Sequence, residues 1–163
     1  NDSFYYLNIK DIMNEDNYIN RLNNADDTFL VGVIMLDLNN LKRVNDTLGH
    51  EMGDRYIESF SAILAGMQNE RISAYRIGGD EFCVILEKTN AVEIHQILDS
   101  LERKINVYNE KNNIKISYAK GCEISTREHY YLMEELTKRA DSRMYENKRL
   151  MKGKRLDGRR LNV

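Results

Sequence analysis

The sequence predicts an α+β fold in which helices pack on a central, mainly antiparallel sheet, with the core order β-α-α-β-β-α-β flanked by helices. Two observations carry this prediction. A polar four-residue segment, 78–81, separates two short strand-like runs, which is typical of a β-hairpin. The other strand-like runs are separated by segments whose apolar residues recur at helical spacing, so helices are expected to connect them and cover the sheet.

The first strand is predicted from the apolar run 29–36, whose length and β-branched residues suit a central strand covered on both faces. Asp37 is expected to end this strand. Asn39 is expected to cap a short helix that stops at Gly49. A second helix is expected from about Met52, because apolar residues then recur at spacings of three and four.

The remaining elements follow from the same periodicities. The hairpin strands are predicted at 72–77 and 82–86, and a helix at 91–110. A further strand is expected at 114–124 and a closing helix at 130–152. The sheet is therefore expected to contain four strands.

The chain is expected to form a single domain over residues 1–163. Its length and its 42% hydrophobic content are enough for one core, and it contains no proline and no visible internal boundary. Residues 1–27 are predicted to be a helical lead-in, and residues 153–163 a basic, flexible tail. Because the sequence begins without methionine, it is expected to be one part of a longer protein.

The charge balance argues against general binding to nucleic acid or to an anionic membrane, since 24 Lys and Arg face 26 Asp and Glu. Any anionic ligand must therefore be held by a local site. Cys83 and Cys122 form neither a metal-type spacing nor a disulfide framework, so a reducing cytoplasm is the expected location. No apolar stretch approaches the roughly 20 residues that span a bilayer. If the full-length protein is membrane-anchored, this domain is expected on the cytoplasmic side.

Three carboxylates are candidates for a metal site. Asp37 follows a buried apolar run and has no basic neighbour before Lys42, so its charge needs a partner. Asp80 and Glu81 would converge with Asp37 if the hairpin lies beside the first strand. Clustered carboxylate oxygens suit Mg²⁺, which completes its shell with waters and substrate phosphates. The helix after Asn39 would direct free backbone amides at a triphosphate.

Each feature taken singly also has a purely structural explanation. For Asp37 taken alone, a helix-capping role is favoured over a metal-binding role by about two to one. The segment 78–81 is an ordinary polar turn in composition. Asn45 would equally suit a solvated helix surface, and Asp54 the N-cap of the second helix. The functional interpretation therefore depends on their joint occurrence.

Three motifs, in order and at the expected spacing, resemble the GGDEF domain family of diguanylate cyclases. Segment 76–82, Arg-Ile-Gly-Gly-Asp-Glu-Phe, is similar to the signature that names the family. Segment 36–54 contains Leu-Asp-Leu and then Leu-Lys-x-x-Asn-Asp-x-x-Gly-His-x-x-Gly-Asp, which is similar to the second signature. Segment 140–148 is similar to the family's C-terminal helix. The resemblance runs from about residue 30 to residue 152.

The resemblance implies a palm-like nucleotidyl-cyclase fold and the condensation of two GTP molecules into cyclic di-GMP, with release of pyrophosphate. It implies Mg²⁺ as the cofactor, with Mn²⁺ as a possible substitute, and a homodimer in which two domains face each other. A sensory or regulatory domain is expected in the full-length protein. No nucleic-acid partner and no membrane contact are expected for this part of the chain.

The resemblance also assigns roles in metal binding. Asp37 and Asp80, with the backbone carbonyl of Leu38, are expected to hold the metal ions. Glu81 is expected to assist metal binding or to help activate the attacking hydroxyl. Asp80 and Glu81 are thus both catalytic and metal-binding candidates.

The other assigned roles concern the nucleotide. Asn45 and Asp54 match positions that read guanine, whose N1–H and 2-amino group are hydrogen-bond donors. Lys42 is expected to bind the β- and γ-phosphates, and Arg76 and Lys148 to offset charge on the transferring phosphate. Gly78 and Gly79 are expected to allow close backbone approach to the ligand. Lys152 is expected to add a further basic contact with the substrate.

Several positions depart from the family. Asn69 stands where an Arg would begin the product-inhibition site, so no inhibitory product site is expected. The family's entry motif is not recognisable at 8–16. Lys152 replaces an Arg, which keeps the charge but loses bidentate phosphate contact. Turnover is expected to be weakened by this change.

Three alternatives stay open. The strongest is a catalytically weak or inactive GGDEF module that binds GTP and regulates a partner domain, against which the intact Asp37, Asp80 and Glu81 argue. An interaction module without nucleotide binding is disfavoured by Asn45 and Asp54. A cyclase that makes a 3′,5′-cyclic monophosphate on a similar fold is disfavoured by the Gly-Gly-Asp-Glu-Phe hairpin.

Overall fold

The structure, a computed structural model, describes the backbone of residues 31–161 and the side chains of residues 31–154. The helical lead-in predicted for residues 1–27 lies outside the described residues. Eight elements follow in chain order: β1 Val31–Leu38, α1 Leu41–Leu48, α2 His50–Ala65, β2 Ile72–Arg76, β3 Glu81–Leu86, α3 Ala91–Lys111, β4 Tyr118–Ser125 and α4 Met133–Leu161. The predicted α+β order is confirmed.

The four strands form one sheet in the order β2-β3-β1-β4, and every neighbouring pair is antiparallel. β1 therefore lies in the interior of the sheet, paired with β3 on one side and β4 on the other. All eight of its residues are buried, because helices cover both faces. This burial explains why the strand is almost continuously apolar.

Side chains that alternate along β1 enter two different cores. Ile34 and Leu36 point to the face covered by α2 and α3, where they join Phe60 and Phe82. The intervening residues face α4, and this second core comprises Val31, Val33, Met35, Cys83, Ile85, Ala119, Met133, Leu136, Ala140 and Met144. The sheet thus lies between two helical layers.

Helix α4 packs on the sheet with its backbone close to that of β4. A Cβ atom added to Gly121 would lie 2.2 Å from the backbone N of Met144 and 2.3 Å from the carbonyl O of Ala140. Neither atom belongs to a flexible side chain that could move aside. Gly121 therefore sets the separation between β4 and α4, and with it the height of α4 above the sheet.

The structure corrects two predictions at the end of β1. The strand does not end at Asp37 but continues through Leu38, because both residues keep their β-ladder partners in β4. Asn39 does not cap α1. The helix is preceded by Asn40 in a left-handed conformation with φ 68°, and no side-chain cap is formed. The Asn39 amide instead donates to Ser117 Oγ at 3.0 Å.

The closing helix is longer than predicted. It was expected to end near Lys152, with a tail from residue 153, yet the backbone remains helical to Leu161. The segment is rich in Lys, Arg and Leu, which are good helix formers, and it contains no proline. The two glycines there, Gly153 and Gly158, do not interrupt the helix. In the part of the chain that the structure describes, none of the helices is both long and apolar enough to cross a membrane.

Candidate active site

Three elements bring charged side chains together at one end of the sheet. We call Asp37 on β1, Asp80 and Glu81 at the hairpin, and Lys148 on α4 the carboxylate region. Asp37 lies opposite Glu81 in the register of β1 and β3. The N–H of Leu38 donates to the carbonyl of Asp80 at 2.8 Å, which holds the hairpin tip against the end of β1. The sheet register therefore places all three candidate carboxylates at one location.

Lys148 reaches into this region from α4. Its Nζ lies 2.6 Å from Oδ2 of Asp37, in a pair whose side chains are 22% and 6% exposed. This contact joins residues 111 positions apart in the chain. The basic partner that Asp37 lacks in its own sequence neighbourhood is thus supplied by the last helix.

The second oxygen of Asp37 has no such partner. Oδ1 is buried, and no hydrogen bond reaches it from the part of the chain that is described. A buried carboxylate oxygen without a donor is costly, so this atom is suited to a cation arriving from outside the chain. This is the strongest structural indication of a ligand position in the carboxylate region.

Burial and neighbouring charges shift the pKa values of Asp37 and Glu81. Burial raises the pKa of Asp37, and the charge of Asp80 adds to the rise, while Lys148 opposes it. Burial also raises the pKa of Glu81, with contributions from the charges of Asp37 and Asp141. Burial is the main cause of both shifts, and Lys148 does not cancel it, so an additional positive charge would be stabilised among these carboxylates.

The donor set fits a hard divalent cation. Asp37 Oδ1 is unpaired, the Asp80 and Glu81 carboxylates lie close enough to interact with the charge of Asp37, and oxygen ligands of this kind suit Mg²⁺ or Mn²⁺. Among residues 31–154, however, no three Asp, Glu, His or Cys side chains already stand in a metal-holding arrangement. The set is compatible with a Mg²⁺ that takes its remaining ligands from water and phosphate.

Arg76 stabilises the hairpin that carries these carboxylates. Its Nε donates to the carbonyl of Gly78 and its Nη2 to that of Gly79, both at 2.9 Å. A Cβ at Gly79 would meet nothing within 4 Å, and one at Gly78 only the Glu81 side chain at ordinary contact distance. The space beside Gly79 is therefore open in the described chain, while Gly78 has the Glu81 side chain beside it. The two hydrogen bonds link Arg76 to the loop.

The candidate nucleotide-binding residues lie on two consecutive helices. We call Lys42 and Asn45 on α1, with Gly53 and Asp54 on α2, the α1–α2 region. Lys42 and Asp54 are exposed, and Asn45 is half-buried. Between the helices Gly49 has φ 92°, a conformation that favours glycine, and its N–H donates to the carbonyl of Asn45 at 2.9 Å. Because α2 begins at His50, Asp54 lies inside the helix and is not its N-cap.

Lys152 is exposed on α4, one turn beyond Lys148. Within residues 31–154, the side chain of Lys152 forms no hydrogen bond or ion pair with the carboxylates, and Lys148 is the basic partner of Asp37. Asn69 and Arg71 shape the entry to β2: Asn69 Oδ1 accepts the N–H groups of Arg71 and Ile72, and Arg71 pairs with Glu93 at 2.7 Å. The predicted lack of an inhibitory product site remains a prediction.

Sequence reasoning missed the role of Tyr56. Its hydroxyl donates to the carbonyl of Asn39 at 2.7 Å and accepts the N–H of Ser117 at 3.2 Å. It thereby ties α2 to the end of β1 and to the residue before β4. The sequence marks Tyr56 only as part of an apolar helical stripe, which carries no information about its hydroxyl.

Asp141 was also missed as a neighbour of the carboxylates. Its charge contributes to raising the pKa of Glu81, and its own pKa is raised by burial. It lies on α4, two turns before Lys148. The third motif contained this residue, which was the available signal.

The family model described as "Diguanylate cyclase, GGDEF domain" matches residues 12–154. The chain therefore belongs to the GGDEF domain family of diguanylate cyclases. It is 33% identical over 135 residues to "Diguanylate cyclase DgcN" of Escherichia coli (strain K12), which covers 78% of this chain and 32% of that protein.

Solved structures show the same fold. The GGDEF domain of DgcB from Caulobacter crescentus, in complex with c-di-GMP, matches with a TM-score of 0.74 at 20% identity, over 86% of this chain and 82% of that one. The diguanylate cyclase SiaD of Pseudomonas aeruginosa, in complex with its activator SiaC, matches with a TM-score of 0.70 at 22% identity, over 86% and 52%. The chain spans about a third of the length of DgcN.

Proposed function

We propose that the chain condenses two GTP molecules into cyclic di-GMP, with release of two pyrophosphates, between two copies that face each other. The observation that carries the proposal is the buried, unpaired Oδ1 of Asp37 beside the hairpin carboxylates, in a chain of the GGDEF family. DgcN, which carries the name of a diguanylate cyclase, supports it.

The carboxylate region would hold Mg²⁺, or Mn²⁺ in its place. Asp37 and Asp80 would be ligands together with the carbonyl of Leu38, and Glu81 would assist or would draw the proton from the attacking hydroxyl. When bound, the divalent ion would act as a Lewis acid that stabilises charge on the transferring phosphate. Because Lys148 pairs with Asp37, its ammonium would have to exchange partners, leaving the carboxylate for the phosphates.

The α1–α2 region would hold the rest of the nucleotide. The Lys42 ammonium is exposed and free to approach the β- and γ-phosphates, while Asp54 and Asn45 would pair with the hydrogen-bonding edge of guanine. Arg76 would keep the glycine loop open to the substrate through its two loop hydrogen bonds. Lys152 would add a weaker, exposed phosphate contact.

The bond changes require two nucleotides. In each half-reaction the 3′-oxygen of one GTP bonds to the α-phosphorus of the other, the bond from that phosphorus to the bridging oxygen breaks, and pyrophosphate departs. Two half-reactions close the ring. Since one domain offers one set of site residues, catalysis would require a homodimer, and control would come from a sensory or regulatory domain in the full-length protein on the cytoplasmic side.

The test is to incubate the chain at high concentration with GTP and Mg²⁺, to identify products by mass, and to repeat the assay across a dilution series. The proposal predicts cyclic di-GMP and a specific activity that falls on dilution. Mg²⁺-dependent GTP binding without product would favour the alternative, a regulatory GTP-binding module. Absence of both would contradict the site assignment.

A further inference from the structure

Gly53 lies where α1 and α2 pack against each other, and it is buried. It occupies the fourth position of α2, and its N–H donates to the carbonyl of Gly49 at 3.2 Å. Glycine inside a helix is unfavourable relative to alanine. Its backbone is helical, with no positive φ that would require glycine. Another feature of the structure must therefore explain the residue.

The space above the Cα of Gly53 is filled by the carboxamide of Asn45. A Cβ at Gly53 would lie 1.7 Å from Asn45 Oδ1, 2.8 Å from its Cγ and 3.4 Å from its Nδ2. All three nearest atoms belong to this one side chain. Any residue other than glycine would therefore expel the carboxamide from its present position.

The contact also links Asn45 to its neighbour in the α1–α2 region. Asn45 is half-buried on α1, and Asp54 directly follows Gly53 on α2. The carboxamide of one guanine-binding candidate thus rests on the backbone that leads into the other. Gly49, with φ 92°, shapes the turn that joins the two helices.

We infer that Gly53 is a positioning residue for base specificity: by lacking a side chain it seats the Asn45 carboxamide beside Asp54, and so it determines the preference for guanine over adenine. This inference rests on the proposed function, in which Asn45 and Asp54 contact guanine. It adds that the preference depends on a residue that need not touch the nucleotide.

The test compares four forms of the chain: wild type, Gly53→Ala, Asn45→Ala and the double variant. Affinity for 3′-deoxy-GTP and 3′-deoxy-ATP is measured by calorimetry with Mg²⁺, because neither nucleotide carries the attacking hydroxyl. Gly53→Ala and Asn45→Ala should each weaken 3′-deoxy-GTP binding by about fivefold or more and reduce its preference over 3′-deoxy-ATP. The double variant should match Asn45→Ala, since Gly53 acts only through Asn45.

The matched control is Gly66→Ala, at the other end of α2, where a Cβ would approach no atom closer than 3.5 Å. It should bind both nucleotides like wild type. If Gly53→Ala lowers Tm strongly, the double variant should recover it, because the clashing atoms are gone. Failure to recover would contradict the inference.

The outcomes distinguish the inference about Gly53 from the proposed function. If Asn45→Ala weakens binding and Gly53→Ala does not, or if the two effects simply add in the double variant, the inference about Gly53 is wrong and the proposed function stands. An equal loss of both nucleotides in Gly53→Ala would also overturn it. If Asn45→Ala has no effect, the assignment of Asn45 to guanine fails, and the inference fails with it.

Discussion

The carboxylate region and the α1–α2 region are built in opposite ways. The α1–α2 region takes its residues from two consecutive helices, and its geometry is set by one turn and one glycine contact. The carboxylate region joins β1, the hairpin and α4, and its ion pair spans 111 positions. The first depends on local conformation and the second on long-range packing, so substitutions should affect them separately.

The largest expected effect is at the carboxylate region. Asp80→Ala should lower cyclic di-GMP synthesis by about a thousandfold or more, since it removes several kcal/mol of metal-dependent charge stabilisation. The fold should persist, because Asp80 is held by a backbone bond from Leu38. Product is quantified by mass, and Asp99→Ala on the exposed face of α3 is the control. Full product formation by Asp80→Ala would show that the metal assignment is wrong.

Lys148→Met tests the exchange of partners at Asp37. Synthesis should fall by about ten- to a hundredfold, because a cation beside the transferring phosphate is lost. Binding of Mn²⁺ without nucleotide should nevertheless become severalfold tighter, since no ammonium competes for Oδ2 of Asp37. A calorimetric titration against wild type and against the distant Lys104→Met checks this. Weaker Mn²⁺ binding would mean that Lys148 supports the metal position.

Gly121→Ala should reduce the free energy of unfolding by about 1–3 kcal/mol, because the new methyl group meets helix backbone at 2.2 Å. By shifting α4 it should also weaken the Lys148–Asp37 pair while sparing guanine preference. Urea unfolding and the nucleotide titrations measure the two effects. Gly66→Ala, which meets no close atom, should be neutral or slightly stabilising; equal stability of both variants would contradict the packing account.

The smallest expected effect concerns pH. Burial and neighbouring charges raise the pKa of Glu81 in the folded chain, so the ionised form costs stability as pH rises from the unfolded pKa through the folded one. Glu81→Gln should raise Tm at pH 7 in EDTA by about 1–3 °C, with no gain near pH 4 where Glu81 is protonated. Thermal unfolding at both pH values checks this, with Glu110→Gln as control. A gain that persists at pH 4 would have another cause.

Most of the fold follows from the sequence because its signals are local. Two short strand-like runs around the polar segment 78–81 predicted the hairpin, and helical spacing predicted α2 and α3. The errors lie at boundaries: the ladder with β4 extends β1 past Asp37, and a left-handed Asn40 replaces the expected cap at Asn39. Both depend on tertiary partners that no window of sequence contains.

The candidate site shows the same difference between local and long-range signals. The motifs selected Lys42, Asn45 and Asp54 as candidates for binding the nucleotide, and these roles stay predictions. The hairpin predicted that Asp80 and Glu81 approach Asp37. The Lys148–Asp37 pair and the Tyr56 hydroxyl bridge could not be predicted, because each requires the relative positions of elements distant in sequence. The position of Gly53 in a motif also does not reveal that the Asn45 side chain packs against it.

The most direct test is a titration of 3′-deoxy-GTP with and without Mg²⁺, on wild type and on Asp80→Ala. It asks whether the carboxylate region and the α1–α2 region contribute independently to the binding of one nucleotide. Wild type should bind more tightly with Mg²⁺ and should prefer guanine over adenine. Asp80→Ala should lose the Mg²⁺ dependence and keep the guanine preference. A variant that keeps the Mg²⁺ dependence, or loses the guanine preference, would contradict this account of the site.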